Sequence, residues 1–202
     1  MRKKILLILP LLLFAITQQL QAVTCNWGYC NSVVNDQFGS VNKGKGAIYI
    51  PAEISKMYEG KQLSYVRVGL AAKAKTVKVF VTKDLNGEYI TTRTQRDQLS
   101  GFNEIKFAEP WTIDGEGFYI GYEFESDDYA MGSSTMYNEN GCWADLGDGW
   151  KNYAVEDHAL ALSIQAKISG DDLPKDYWLF CSNDILAEAG KPFNINFSIR
   201  NM

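Results

Sequence analysis

Apolar and polar residues alternate with a period of two through most of the chain. Val77, Val79 and Val81 share one face, with Lys78, Phe80 and Thr82 on the other. Leu160, Leu162, Ile164, Ala166 and Ile168 form a second stripe, opposed by Ala161, Ser163, Gln165 and Lys167. Phe193, Ile195, Phe197 and Ile199 make a third, opposed by Asn194, Asn196, Ser198 and Arg200, and Phe118, Ile120, Tyr122 and Phe124 repeat the pattern. Successive side chains of a strand point to opposite faces, so strict alternation predicts half-buried strands.

Turn chemistry separates these runs. Asp84-Leu85-Asn86-Gly87 lies between Val77–Thr82 and Tyr89–Thr94, and Asn-Gly between two such runs predicts a hairpin. Asp114-Gly115, Asp148-Gly149 and Gly170-Asp171 punctuate further along. One helical turn is expected over Ala52–Tyr58, after Pro51 and before Gly60. Gly101 to Phe124 holds two strand-like runs around a Pro-Trp and Asp-Gly connection, with Phe102, Ile105, Phe107, Phe118 and Ile120 as expected core. Many short strands without a long helical period predict an all-β, antiparallel jelly-roll β-sandwich. The polar stretch Gly170–Lys175 reads as a boundary, and a short strand-forming segment follows it. The expected organisation is a signal peptide over 1–22, an N-terminal segment with two cysteines over 23–43, the sandwich over 44–170, and a linker with the start of a further β domain over 171–202.

The N-terminus changes where this domain is expected to work. Met1-Arg2-Lys3-Lys4 is basic, Ile5 to Thr17 is apolar, and Leu20-Gln21-Ala22 offers a small residue for cleavage. That layout is a secretory signal peptide, and its apolar run is short for a membrane span. The localisation expected is secreted or cell-surface, with no membrane span in the mature chain. A lipid anchor on Cys25 is the alternative, although Thr24 is a poor residue to precede a lipidated cysteine. Cleavage after Ala22 lowers Lys plus Arg from 20 to 17 against 24 acids, a net charge of −7. An acidic surface without basic clusters argues against nucleic acid as a partner. Cys25, Cys30, Cys142 and Cys181 are disulfide candidates in an exported chain, with three pairings open and Cys25 with Cys30 the shortest closure.

Several of these runs carry a resemblance. Ala47-Ile48-Tyr49-Ile50-Pro51, Gly60-Lys61-Gln62-Leu63 leading to Val66-Arg67-Val68-Gly69, and Val77-Lys78-Val79-Phe80-Val81 come first. Gly101-Phe102-Asn103-Glu104-Ile105, Pro110-Trp111-Thr112-Ile113-Asp114, Phe118-Tyr119-Ile120-Gly121-Tyr122 and Leu160 to Pro174 follow in order. Together they resemble the jelly-roll modules of secreted Bacteroidetes proteins, the cleaved-adhesin-like domains of gingipains and the accessory domains beside streptopain-like cysteine proteases. The resemblance spans about residues 44–174 and rests on turn, strand and core positions. It implies a binding or adhesion module, or an accessory domain of a secreted protease system, and that the residues after Pro174 begin an Ig-like domain cut short.

Candidate chemistry is sparse. A thiol protease needs a cysteine with a histidine base in reach. His158 is the one histidine, Cys142 is the cysteine nearest in sequence, and Asn140-Gly141-Cys142-Trp143 reads as a turn entering a strand. Among Glu104, Glu123, Glu125, Asp127 and Asp128, no spacing singles out a glycosidase pair. The chain is therefore expected not to be an enzyme. Calcium is the cofactor considered, on Asp127, Asp128, Asp145 and Asp148, because clustered loop carboxylates suit a hard cation. Trp143, Trp150 and Tyr153 with Asp145, Asp148 and Asn152, preceded by Tyr129 and Tyr137, make a candidate ligand surface for a glycan or a cell-surface protein. Exposed rings stack on sugar faces while carboxylates and amides accept from hydroxyls.

Overall fold

The alternating runs fold into strands whose apolar faces meet in a shared core. The structure, a computed structural model, describes residues 23–154, 160–174, 177–181 and 197–201, the last two stretches as backbone. Its strands are β1 Val23–Trp27, β2 Asp36–Gln37, β3 Lys43–Ile50, β4 Gln62–Leu70, β5 Ala74–Thr82, β6 Thr91–Gln98, β7 Gly101–Thr112 and β8 Phe118–Ser126. After these come β9 Gly132–Ser134, β10 Trp143–Asp145, β11 Trp150–Asn152, β12 Ala161–Leu162, β13 Ile164–Gly170, β14 Tyr177–Cys181 and β15 Phe197–Asn201.

Two antiparallel sheets face each other as a β-sandwich. A four-stranded sheet runs β1-β13-β4-β7, and a six-stranded sheet runs β11-β10-β3-β8-β5-β6. The long strands pair in a nested way: β1 with β13, β3 with β8, β4 with β7, and β5 with β6. A smaller sheet, β12-β9-β2, closes one side. Ile48, Val79, Val81, Ile120 and Tyr122 of the six-stranded sheet are buried in one cluster with Leu63, Val66, Val68, Ile105, Ile164 and Ile168 of the four-stranded one. Each such apolar side chain contributes about 1.5–3 kcal/mol on full burial.

The short helix α1, Ala52–Ser55, continues as a 3-10 turn over Lys56–Tyr58, matching the expected element. Pro51 starts it by accepting from the Ile54 and Ser55 amides, and Gly60, at φ +78°, turns the chain out of it. The β5–β6 hairpin also forms where expected. Its loop is closed by Asp84, whose carbonyl accepts from Gly87 N and whose carboxylate accepts from Asn86 N.

Three differences from the sequence reading have physical causes. First, the two runs of Gly101–Phe124 belong to opposite sheets: β7 pairs with β4, and β8 lies between β3 and β5. The β4–β7 register jumps from Leu63↔Trp111 to Tyr65↔Lys106, so residues 107–110 bulge at a sheet edge. Pro110, which has no N–H to donate, is tolerated there. Ile105, Phe107, Phe118 and Ile120 are buried as expected, whereas Phe102 is half-exposed beneath the Arg67 guanidinium at 5.1 Å.

Second, the N-terminal segment is part of the sandwich. β1 pairs with β13 from Val23↔Gly170 to Trp27↔Ala166, and Cys25, Trp27 and Tyr29 join the main core. Third, the Cys25–Cys30 closure, the shortest of the pairings left open, does not form. Cys30 is a buried thiol whose Sγ donates to the Ile164 carbonyl at 3.5 Å. Cys142 is likewise a buried thiol, and the Cys181 side chain lies outside the described residues, as do residues 1–22, His158, Phe193 and Ile195. Beyond Pro174, β14 and β15 pair with each other. Among the described residues no helix is long and apolar enough to cross a membrane.

Candidate functional site

Directly opposed residues of an antiparallel pair share a face, so the registers lay out the outer surface of the six-stranded sheet row by row. Asn152, Trp143, Ala47, Gly121, Phe80 and Thr92 form one row across β11, β10, β3, β8, β5 and β6. The next row reads Trp150, Asp145, Lys45, Glu123, Lys78 and Thr94. On the other side, Tyr49 and Tyr119 are paired. A face turned away from the main core would ordinarily be polar; this one carries rings.

Phe80 is the centre of a second apolar cluster. It is buried with Ala47 and Leu85, and Tyr89, Tyr119, Trp143 and Trp150 pack around them partly exposed. Tyr89 stacks on Phe80 with centroids 4.3 Å apart and planes 6° from parallel. Trp150 meets Phe80 edge to face at 6.2 Å, and Tyr119 meets Trp143 the same way at 5.7 Å. Gly121 makes room for this arrangement, since a Cβ there would lie 2.4 Å from the Gly46 carbonyl oxygen and 2.6 Å from the Phe80 ring.

Polar groups border the rings. Tyr89 donates its hydroxyl to Glu123 Oε1 at 2.7 Å, and Lys78 Nζ lies 3.7 Å from the same oxygen and 4.7 Å from the Tyr89 ring centre. Burial, then the Glu123 carboxylate, push the Tyr89 hydroxyl well above its usual range, so it stays a donor. Asp145 Oδ1 accepts from the Gly147 and Gly149 amides at 2.9 and 3.0 Å, shaping the β10–β11 turn. Beside these residues is a recess of about 250 Å³, lined by Lys43, Gly44, Lys45, Glu123, Phe124, Asp145 and Gly147.

The structure therefore brings together part of the expected ligand surface. Trp143, Trp150, Asp145 and Asn152 share the outer face. Tyr153 does not: its ring packs against the main core and meets Phe38 at 5.3 Å. Asn152 spends its amide on the Glu139 carbonyl and the Ala154 N–H, and Asp148 is held by Lys151 Nζ. Tyr129 and Tyr137 are exposed in the β8–β9 and β9–β10 connections, outside the ring cluster. Phe80, Tyr89 and Tyr119 are not among the ligand-surface residues that the sequence singles out. Phe80 did leave a signal, as a large apolar residue on the face of β5 shared with Lys78 and Thr82.

The carboxylates considered for calcium each have a partner within the chain. Asp127 pairs with Lys75 at 2.5 Å, Asp128 Oδ1 accepts from the Tyr129 amide, and Asp145 and Asp148 are engaged as above. Among the described residues no three His, Cys, Asp or Glu side chains gather as a metal site. Cys142 is fully buried and its thiol is pushed up to about 12 by burial. Burial does the same to Cys30, raising it to about 12 against the opposing Ile164 contact and the Arg67 charge. Neither thiol is a thiolate near neutral pH, the form a nucleophile requires.

Comparisons with known proteins bear on the fold. No protein-family model matches the chain, and no curated protein matches it. Among solved structures, the chain is similar to the clostridial cysteine protease Cwp84 after propeptide cleavage. The TM-score is 0.57 at 9% identity, over 73% of this chain and 40% of that one. At this identity the likeness is one of fold. The chain spans well under half of that protein's length.

Proposed function

We propose that this chain is an exported, non-catalytic binding module of jelly-roll type whose outer six-stranded face takes carbohydrate. The observation that carries the reading is the ring cluster of Tyr89, Tyr119, Trp143 and Trp150, packed on Phe80 yet left partly exposed, with Glu123 and Lys78 beside it. Half-exposed aromatic faces suit stacking on sugar rings, and adjacent charged groups suit hydrogen bonds to hydroxyls. The nested strand pairing supports the jelly-roll description, and the N-terminal pattern supports export by a signal peptide. Resemblance to cleaved-adhesin-like modules of secreted Bacteroidetes proteins points the same way, towards adhesion to glycans or cell-surface proteins.

A second reading has its own support. The fold neighbour is a stretch of a cysteine protease, and the chain is then an accessory domain of a secreted protease system without a ligand of its own. A glycan array probed with the parent chain and with Trp150→Ala separates the two. The binding reading expects glycan signals that fall in the variant while its melting temperature stays near the parent's. A parent chain that binds no glycan, or a folded variant that binds as the parent does, overturns it.

A further inference from the structure

The recess beside the ring cluster has a charge pattern of its own. Lys43 and Lys45 lie two apart on β3, so both project from the outer face, and both line the recess. Among the described residues neither ammonium has an ion pair or a hydrogen bond, whereas every other lining side chain with a charge has a donor. Glu123 takes the Tyr89 hydroxyl and Lys78, and Asp145 takes two loop amides. Glu125, across the strand pair from Lys43, has no ion pair among the described residues and does not line the recess.

The walls keep this space open. Gly147, in the wall, sits at φ +116°, a conformation that side-chain-bearing residues rarely adopt. Register places the recess next to Trp150, which pairs with Asp145, which in turn pairs with Lys45. A ring for stacking therefore lies one residue from a pocket whose uncommitted groups are cations.

We propose that this recess binds the anionic substituent of an acidic saccharide, a carboxylate or a sulfate ester, with Lys45 and Lys43 as its donors while a neighbouring sugar ring lies on the Trp150 side. The inference rests on reading this face as a saccharide platform and adds the class of saccharide. Charge-assisted hydrogen bonds in a partly enclosed site are the stronger kind. They also make the contact salt-sensitive.

Matched polymers test it. The full chain is titrated against polygalacturonate and its methyl ester, and against dextran sulfate and dextran. Binding is expected to be at least about tenfold tighter for the acidic member of one pair, since charge-assisted hydrogen bonds are about twice as strong as neutral ones. Which pair shows the preference tells carboxylate from sulfate. A Lys43→Gln/Lys45→Gln double variant should lose that preference with an unchanged melting temperature, and Lys106→Gln, on the other sheet, should keep it. Equal binding to charged and neutral polymers, or a preference that survives the double variant, overturns the proposal. Binding to neutral polymers alone, lost in Trp150→Ala, would overturn the acidic assignment and leave the platform standing. No binding to any of the four polymers would remove both.

Discussion

The two outward faces of the sandwich solve the same problem differently. On the four-stranded sheet, Arg67 Nε sits 3.2 Å from Glu104, Lys167 reaches the same carboxylate at 2.8 Å, and Lys106 and Lys167 both lie over the Tyr65 ring. Arg67 also donates to Gln165 Oε1, and the fully buried Gln165 donates on to the Cys30 carbonyl at 3.1 Å. Arg67, Glu104 and Lys167 are matched to one another there, and the N-terminal segment lies over part of that face, with Ser32 and Cys30 accepting from Arg67 and Gln165. The six-stranded face leaves rings half-exposed and Lys43 and Lys45 unmatched. A face whose main charges pair with one another is structural. Uncommitted rings and cations are what a ligand can use.

That contrast can be broken in graded ways. The largest effect is expected at Gly121, beneath Phe80. Gly121→Ala forces a Cβ against the Gly46 carbonyl oxygen and the Phe80 ring, and should cost about 3 kcal/mol in urea unfolding. A cost near zero would mean the ring layer is loose. Arg67→Ala comes next, because it strands the buried Gln165 oxygen. A loss of about 2 kcal/mol is expected, with saccharide binding unchanged.

Trp150→Ala should invert that pattern. Its ring is partly exposed, so its stability cost is about 1 kcal/mol, yet saccharide affinity should fall at least tenfold, roughly the value of one stacked ring. The smallest effect is alkaline. Burial raises the Cys30 and Cys142 thiols from 9.0 to about 12. The folded state thus favours the protonated forms, and their contribution is fully present below pH 9.0 and declines as pH rises towards 12. Above pH 10.0 the raised Tyr29 and Tyr122 hydroxyls add to the decline. Melting curves of Cys30→Ala and Cys142→Ala between pH 9 and 10 should each lose part of the slope. An unaltered slope in both would contradict burial of the thiols.

Much of this architecture is legible in the residues. The strand alternation, the turn over Ala52–Tyr58 and the β5–β6 hairpin follow from local rules and are where those rules put them. Sheet membership is not local. β7 and β8 are adjacent in sequence and look alike, yet pair with β4 and β3, which lie dozens of residues away. The candidate site has the same character. Trp143 and Trp150 stand out in the sequence, but Phe80 and Tyr119 join them only through cross-strand register, and Tyr89 by stacking on Phe80 from the β5–β6 connection. Tyr153 was misplaced because one step along the chain past Asn152 moves a side chain to the opposite face.

The central claim is that ligand binding belongs to the six-stranded face and not to its counterpart. Amide and indole chemical shifts, followed while an oligogalacturonide is titrated into the labelled chain, test that most directly. The account predicts shifts confined to Lys43, Lys45, Glu123, Trp143, Asp145 and Trp150, with Tyr65, Arg67, Glu104 and Lys167 unmoved. Shifts centred on Tyr65 and Arg67, or none on either face, would contradict it.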